Sequence, residues 1–81
     1  MKFDHSKLAG RIKEKFGSQA KLAKHIGMGE SSFSYRMSNR IQFDADEIAR
    51  ICAPDCLDIA AHDIYPYFFT QEVLESRTEN N

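Results

Sequence analysis

An all-α fold organised around a helix-turn-helix unit is what this sequence predicts, and three observations carry that prediction. Apolar residues recur at helical spacing through the first half, as Leu8, Ile12 and Phe16, then Leu22, Ala23 and Ile26, then Phe33 and Met37. Gly17 and Gly27 stand where two of these patterns stop, at the positions where a helix end favours positive φ. Between the second and third patterns lies only Gly27-Met28-Gly29, and the small Ala23 stands inside the second. A small side chain at the contact and a permissive residue at the corner are what two helices need to meet closely at a steep angle.

Taken in order, Asp4 or Ser6 caps a first helix whose inward positions are Leu8, Ile12 and Phe16. Gly17 ends it and Ser18 caps the next, which runs from Gln19 to Ile26. Met28 packs back after the turn, and Gly29 takes the N-cap of a third helix. Glu30 suits the positive end of that helix dipole, Phe33 and Met37 face inward, and Ser31, Ser32, Ser34, Tyr35 and Ser38 form an outward polar face. Asn39-Arg40 closes it, and Ile41 and Phe43 are expected to tuck the following loop onto the core. Asp44 with Glu47 is a variant capping box that starts a fourth helix, with Ile48, Ile51 and Cys52 inward and Pro54 ending it near Ala53. A short fifth helix fits around residues 60–64. The aromatic run Tyr65-Pro66-Tyr67-Phe68-Phe69-Thr70 is expected to be partly extended, with Pro66 confining any strand to an edge. Residues 1–74 then form a single domain, with the helix-turn-helix at 18–38 and a polar, disordered tail at 75–81.

Eighty-one residues suit one domain with a modest core. No stretch approaches the ~18 uninterrupted apolar residues of a membrane span, and the N-terminus lacks the apolar core of a secretory signal. We therefore expect a cytoplasmic protein with no membrane contact. Cys52 and Cys56 would share a face on an unbroken helix, Pro54 interrupts them, and no disulfide is expected in a reducing compartment. His5, His25 and His62 are scattered, with no nucleophile–base order, phosphate loop or metal-ligand spacing around them. The expectation is a non-enzyme with no metal, cofactor or small-molecule ligand.

The net charge of −1 conceals a split. Residues 1–43 carry nine Lys/Arg against three acids, a net of +6, while residues 44–81 carry two against nine, a net of −7. A basic half that contains the two-helix unit directs one face toward phosphate.

Gln19, Ala23, Gly27 and Phe33 stand in the register shared by the Cro and C1 repressors of bacteriophages, and Gly27-Met28-Gly29-Glu30-Ser31 resembles the turn of the lambda repressor. The resemblance spans about residues 3–65 and implies a five-helix, lambda-repressor-like domain. The closing aromatic stretch is similar to that of small phage-encoded regulators. One position departs from the family: Arg36 stands where a buried apolar residue is usual, so Met37 is expected to take over the packing. What the resemblance implies is a sequence-specific transcriptional regulator, a phage Cro- or C1-like repressor acting in a bacterial host cell, binding an operator in double-stranded DNA as a homodimer with helix 30–38 in the major groove. Glu30, Ser31, Ser34 and Tyr35 match the base-reading places, with Glu30 either accepting from cytosine N4 or serving only the helix dipole. Gln19 matches a phosphate contact, and Lys21, Arg36, Asn39 and Arg40 join it as candidates. Tyr65, Tyr67, Phe68, Phe69, Val73 and Leu74 either form the dimer contact or wrap onto the chain's own core. The competing reading is an antirepressor or other protein-interaction module on the same fold, its acidic half facing a basic partner.

Overall fold

A computed structural model describes residues 2–71. Five helices run through them: α1 Ser6–Phe16, α2 Gln19–His25, α3 Glu30–Met37, α4 Ala45–Cys52 and α5 Ile64–Phe68, with one 3-10 turn at Ala61–Asp63. Among the described residues there is no strand, only a single antiparallel bridge between Phe3 and Gln71. None of these helices is long and apolar enough to cross a membrane.

The helix boundaries follow from local chemistry. Asp4 Oδ1 accepts from the Ser6 amide at 2.8 Å and from its hydroxyl at 2.6 Å, which satisfies a donor at the start of α1. Gly17 adopts φ 88° and its N–H donates to the Ile12 and Lys13 carbonyls, so α1 stops there. Ser18 Oγ accepts from the Lys21 amide and opens α2. Gly27, at φ 75°, turns the chain, and the Met28 amide reaches back to Ala23 O at 2.9 Å. Gly29 then caps α3 without a side-chain acceptor. Asp44 and Glu47 make the full reciprocal capping box at the start of α4. Ala53 is extended at ψ 154°, as a residue before proline should be, and α4 ends at Cys52.

Leu8, Ile12, Leu22, Ala23, Phe33 and Ile51 are essentially inaccessible and define one core, closed below by Leu57, Ile59 and Phe68. Cys52 and Cys56 lie in it as free thiols, and burial pushes the Cys52 thiol up to about 11. Phe43 is the aromatic hub, meeting Phe68, His5 and Phe33 edge-on at 5.3, 5.5 and 5.8 Å between ring centres.

The C-terminal region differs from expectation. The short helix expected around 60–64 is present as the 3-10 turn Ala61–Asp63, and residues 64–68, expected to be partly extended, continue it as α5. Pro66 sits in the first turn of α5, where its missing N–H would have had no partner. Winding the segment sends Phe68 into the core, 2% exposed, and leaves Tyr65 outside at 64%. Burial decided the conformation over the extended preference of aromatic residues. Extended chain survives only at the end, where Asp4 N donates to Thr70 O at 2.7 Å and Phe3 pairs with Gln71. Ile41 also departs from its expected place, standing 43% exposed rather than tucked inward.

Candidate functional site: the outer face of α3

Phe33 fixes the orientation of α3. Its ring is fully buried, so Ser31 and Tyr35 lie on the opposite side of the helix, with Ser34 beside them and Glu30 in the first turn; all four are exposed, Tyr35 at 41%. Helix α2 packs behind α3 across the Gly27 turn, and the Arg50 guanidinium donates to Ile26 O at 2.7 Å, capping the end of α2. Arg50 belongs to the acidic half of the sequence, yet it braces the turn of the basic half.

Two of the five expected phosphate contacts are occupied elsewhere. Arg36 Nε donates to Glu47 Oε1 at 2.9 Å, and its Nη1 donates to Ser32 O at 2.8 Å. The side chains of this ion pair are only 16% and 9% exposed. The same Glu47 oxygen also accepts from Asp44 N at 2.9 Å, so one carboxylate serves both the cap of α4 and the fastening of α3. The hydrogen bond from Arg36 holds the Glu47 carboxyl below its usual range despite burial, and Glu47 in turn raises the Arg36 guanidinium. The arginine is thereby held in the fold between α3 and α4, with Glu47 neutralising it. Met37 is half-buried against the core beside it.

Asn39 is likewise committed. It adopts φ 71°, a conformation asparagine tolerates, and its amide clasps the Phe3 backbone at both ends: Phe3 N donates to Oδ1 and Nδ2 donates to Phe3 O, each at 2.9 Å. This ties the N-terminal segment to the end of α3. His5 adds a second tie, its Nδ1 donating to Met37 O at 3.1 Å.

Of the remaining candidates, Lys21 is exposed, Gln19 is half-buried, and Arg40 is exposed with its guanidinium carbon 4.7 Å from the centre of the Tyr35 ring. The amides of Arg40 and Ile41 both donate to Tyr35 O, at 2.8 and 3.2 Å, so the turn after α3 brings these three residues together. The expected dimer contacts divide. Phe68 belongs to the chain's own core and is withdrawn from that set. Phe69 and Tyr67 are half-buried, with the Lys7 ammonium 4.8 Å over the Tyr67 ring, and Tyr65 remains open. Val73 and Leu74, with the tail at 75–81, lie outside the described residues.

The family described as protein of unknown function (DUF739) matches residues 1–71. The chain belongs to the DUF739 family. No curated protein matches it. Among solved structures, this DUF739 chain is similar to the modulator of repression (MOR) of the temperate bacteriophage TP901-1 from Lactococcus lactis, known from a solution structure. The two are 32% identical with a TM-score of 0.75, over 91% of this chain and 97% of the other.

The ties of Glu47 to Arg36 and of Phe3 to Asn39 are what sequence reasoning missed. Neither was signalled locally: Arg36 and Glu47 are eleven residues apart on different helices, and Phe3 and Asn39 are thirty-six apart.

Proposed function

We propose that this chain modulates repression in a bacteriophage regulatory circuit by contacting a DNA-binding repressor protein through the outer face of α3 and the turn that follows it. The likeness to a phage modulator of repression over nearly the whole of both chains supports the regulatory role. The observation that carries the mode of action is the withdrawal of Arg36 and Asn39 into the fold. It leaves Lys21 and Arg40 as the exposed cations of the expected phosphate set. Two phosphate contacts at a slope of about −0.9 each correspond to roughly a tenfold loss of affinity over a fourfold rise in salt, a small electrostatic term beside the ~10³-fold or more of a protein with six contacts. With Glu30 heading the helix, the outer face of α3 is better matched to a protein than to a polyanion.

Direct DNA reading, as in the Cro and C1 repressors, is the second reading. It is favoured by one specific observation: all four base-reading candidates, Glu30, Ser31, Ser34 and Tyr35, stand exposed on the outer face of α3. It also calls for a homodimer that sets two α3 helices about 34 Å apart, with Tyr65, Tyr67 and Phe69 as the remaining candidate contacts. Both readings place the protein's action in the cytoplasm of a bacterial host.

The two are separated by measuring binding of the chain alone to operator-sized DNA from its own genome between 50 and 200 mM salt. The proposal expects weak, shallowly salt-dependent binding; tight binding that falls about 10³-fold across that range contradicts it in favour of DNA reading.

A further inference from the structure

Two charges on the outer side of α3 have no hydrogen bond or ion pair with any described residue: Glu30 at its start and Arg40 just past its end. One opens the helix and the other lies in the turn that follows it. A phosphate backbone attracts one of them and repels the other, whereas a protein surface can satisfy both. Arg40 is also pre-organised. Its guanidinium lies over the Tyr35 ring at 4.7 Å, and the amides of Arg40 and Ile41 and the Ser38 hydroxyl all converge on Tyr35 O, at 2.8, 3.2 and 3.2 Å. A face-stacked guanidinium keeps its planar N–H edge free, the edge that fits a carboxylate bidentately. Ile41 stands beside it, 43% exposed, at the rim of a groove lined by Phe3, Ile48 and Phe69. An exposed aliphatic side chain offers a phosphate nothing, but it completes the pairing of apolar and charged groups on which protein contacts concentrate their binding energy.

We infer that Tyr35, Arg40 and Ile41 form the anchor with which this chain grips a protein partner, one that presents a carboxylate beside an apolar side chain. The inference rests on the repressor-contact reading and names the part of the surface that does the holding. The ordering cost is low because the α3 turn already holds the three residues together.

The test is calorimetric titration of the full chain against a purified DNA-binding repressor of the same phage genome, with each variant's thermal melt recorded. Arg40→Ala and Tyr35→Ala are expected to weaken binding by about tenfold or more, as anchor residues do, and Ile41→Ser by less. Arg40→Lys, which keeps the charge but loses the planar fork, should restore only part of the loss. Lys13→Ala removes the same charge from the exposed side of α1 and should leave affinity within about twofold. If the repressor binds the wild type and the three anchor variants equally, the anchor is overturned and the regulatory reading stands. If the repressor does not bind the wild type, the repressor-contact reading falls and the anchor with it, whether or not operator DNA or a second copy of the chain binds instead.

Discussion

Arg36 and Arg40 stand one helical turn apart in sequence, and the structure puts them to opposite uses. Arg36 lies on the shoulder of α3 that faces α4, nearly buried, its charge met by Glu47 at 2.9 Å and its Nη1 reaching Ser32 O. Arg40 lies beyond the last turn, in solvent, stacked on Tyr35 with its N–H edge free. The shoulder is a fixed joint between helices and the outer face is a surface left available. A census of charges by sequence position treats the two arginines alike, whereas burial and partners separate them.

That contrast is sharpened most strongly by a core substitution. Phe68→Ala should cost about 3–5 kcal/mol in urea unfolding, the range for a fully buried aromatic, and the loss should not change with protein concentration. A concentration-dependent loss would return Phe68 to the dimer contact. Next in size, Arg36→Ala should cost about 3 kcal/mol, because it strands the Glu47 carboxylate, while the double replacement Arg36→Met with Glu47→Leu should unfold close to wild type. If Arg36→Ala is as stable as wild type, the shoulder is no joint.

The same pair gives a pH signature. Because Glu47 is lowered in the fold, the folded chain takes up that proton less readily than the unfolded chain. The pair's contribution is therefore full above about pH 5 and disappears as pH falls through the lowered value. Glu47→Gln should flatten the acid limb of the stability profile, and an unchanged limb would mean that other carboxylates set it. The smallest effects belong to the outer face. Ser34→Ala and Arg40→Ala should change stability by no more than about 0.5 kcal/mol. A larger loss at Arg40 would make it structural and erase the contrast with Arg36.

Much of the architecture was legible because its determinants are local. Gly17, Ser18, Gly27, Gly29 and the Asp44–Glu47 box all act within a few residues of themselves, and each sits at the helix boundary where the pattern places it. The outward positions of α3 were legible for the same reason, since Phe33 sets their phase. What could not be read depended on contacts across the chain. Arg36 and Asn39 look like surface polar groups until α4 and the N-terminal segment are folded against them. The segment around Pro66 carries two readings, and only the space beneath Phe68 selects the helical one. Ile41 reads as a core residue, yet the turn after α3 leaves it outside.

The most direct test of the central claim is a titration of this chain into labelled operator DNA already bound by a DNA-binding repressor of the same phage genome, followed by fluorescence anisotropy. The account predicts that the repressor's hold on the DNA changes as the chain reaches a stoichiometric amount, and that the chain alone leaves the DNA signal essentially unmoved at physiological salt. A chain that binds the bare operator tightly, while the repressor's affinity stays the same whether or not the chain is present, would contradict it.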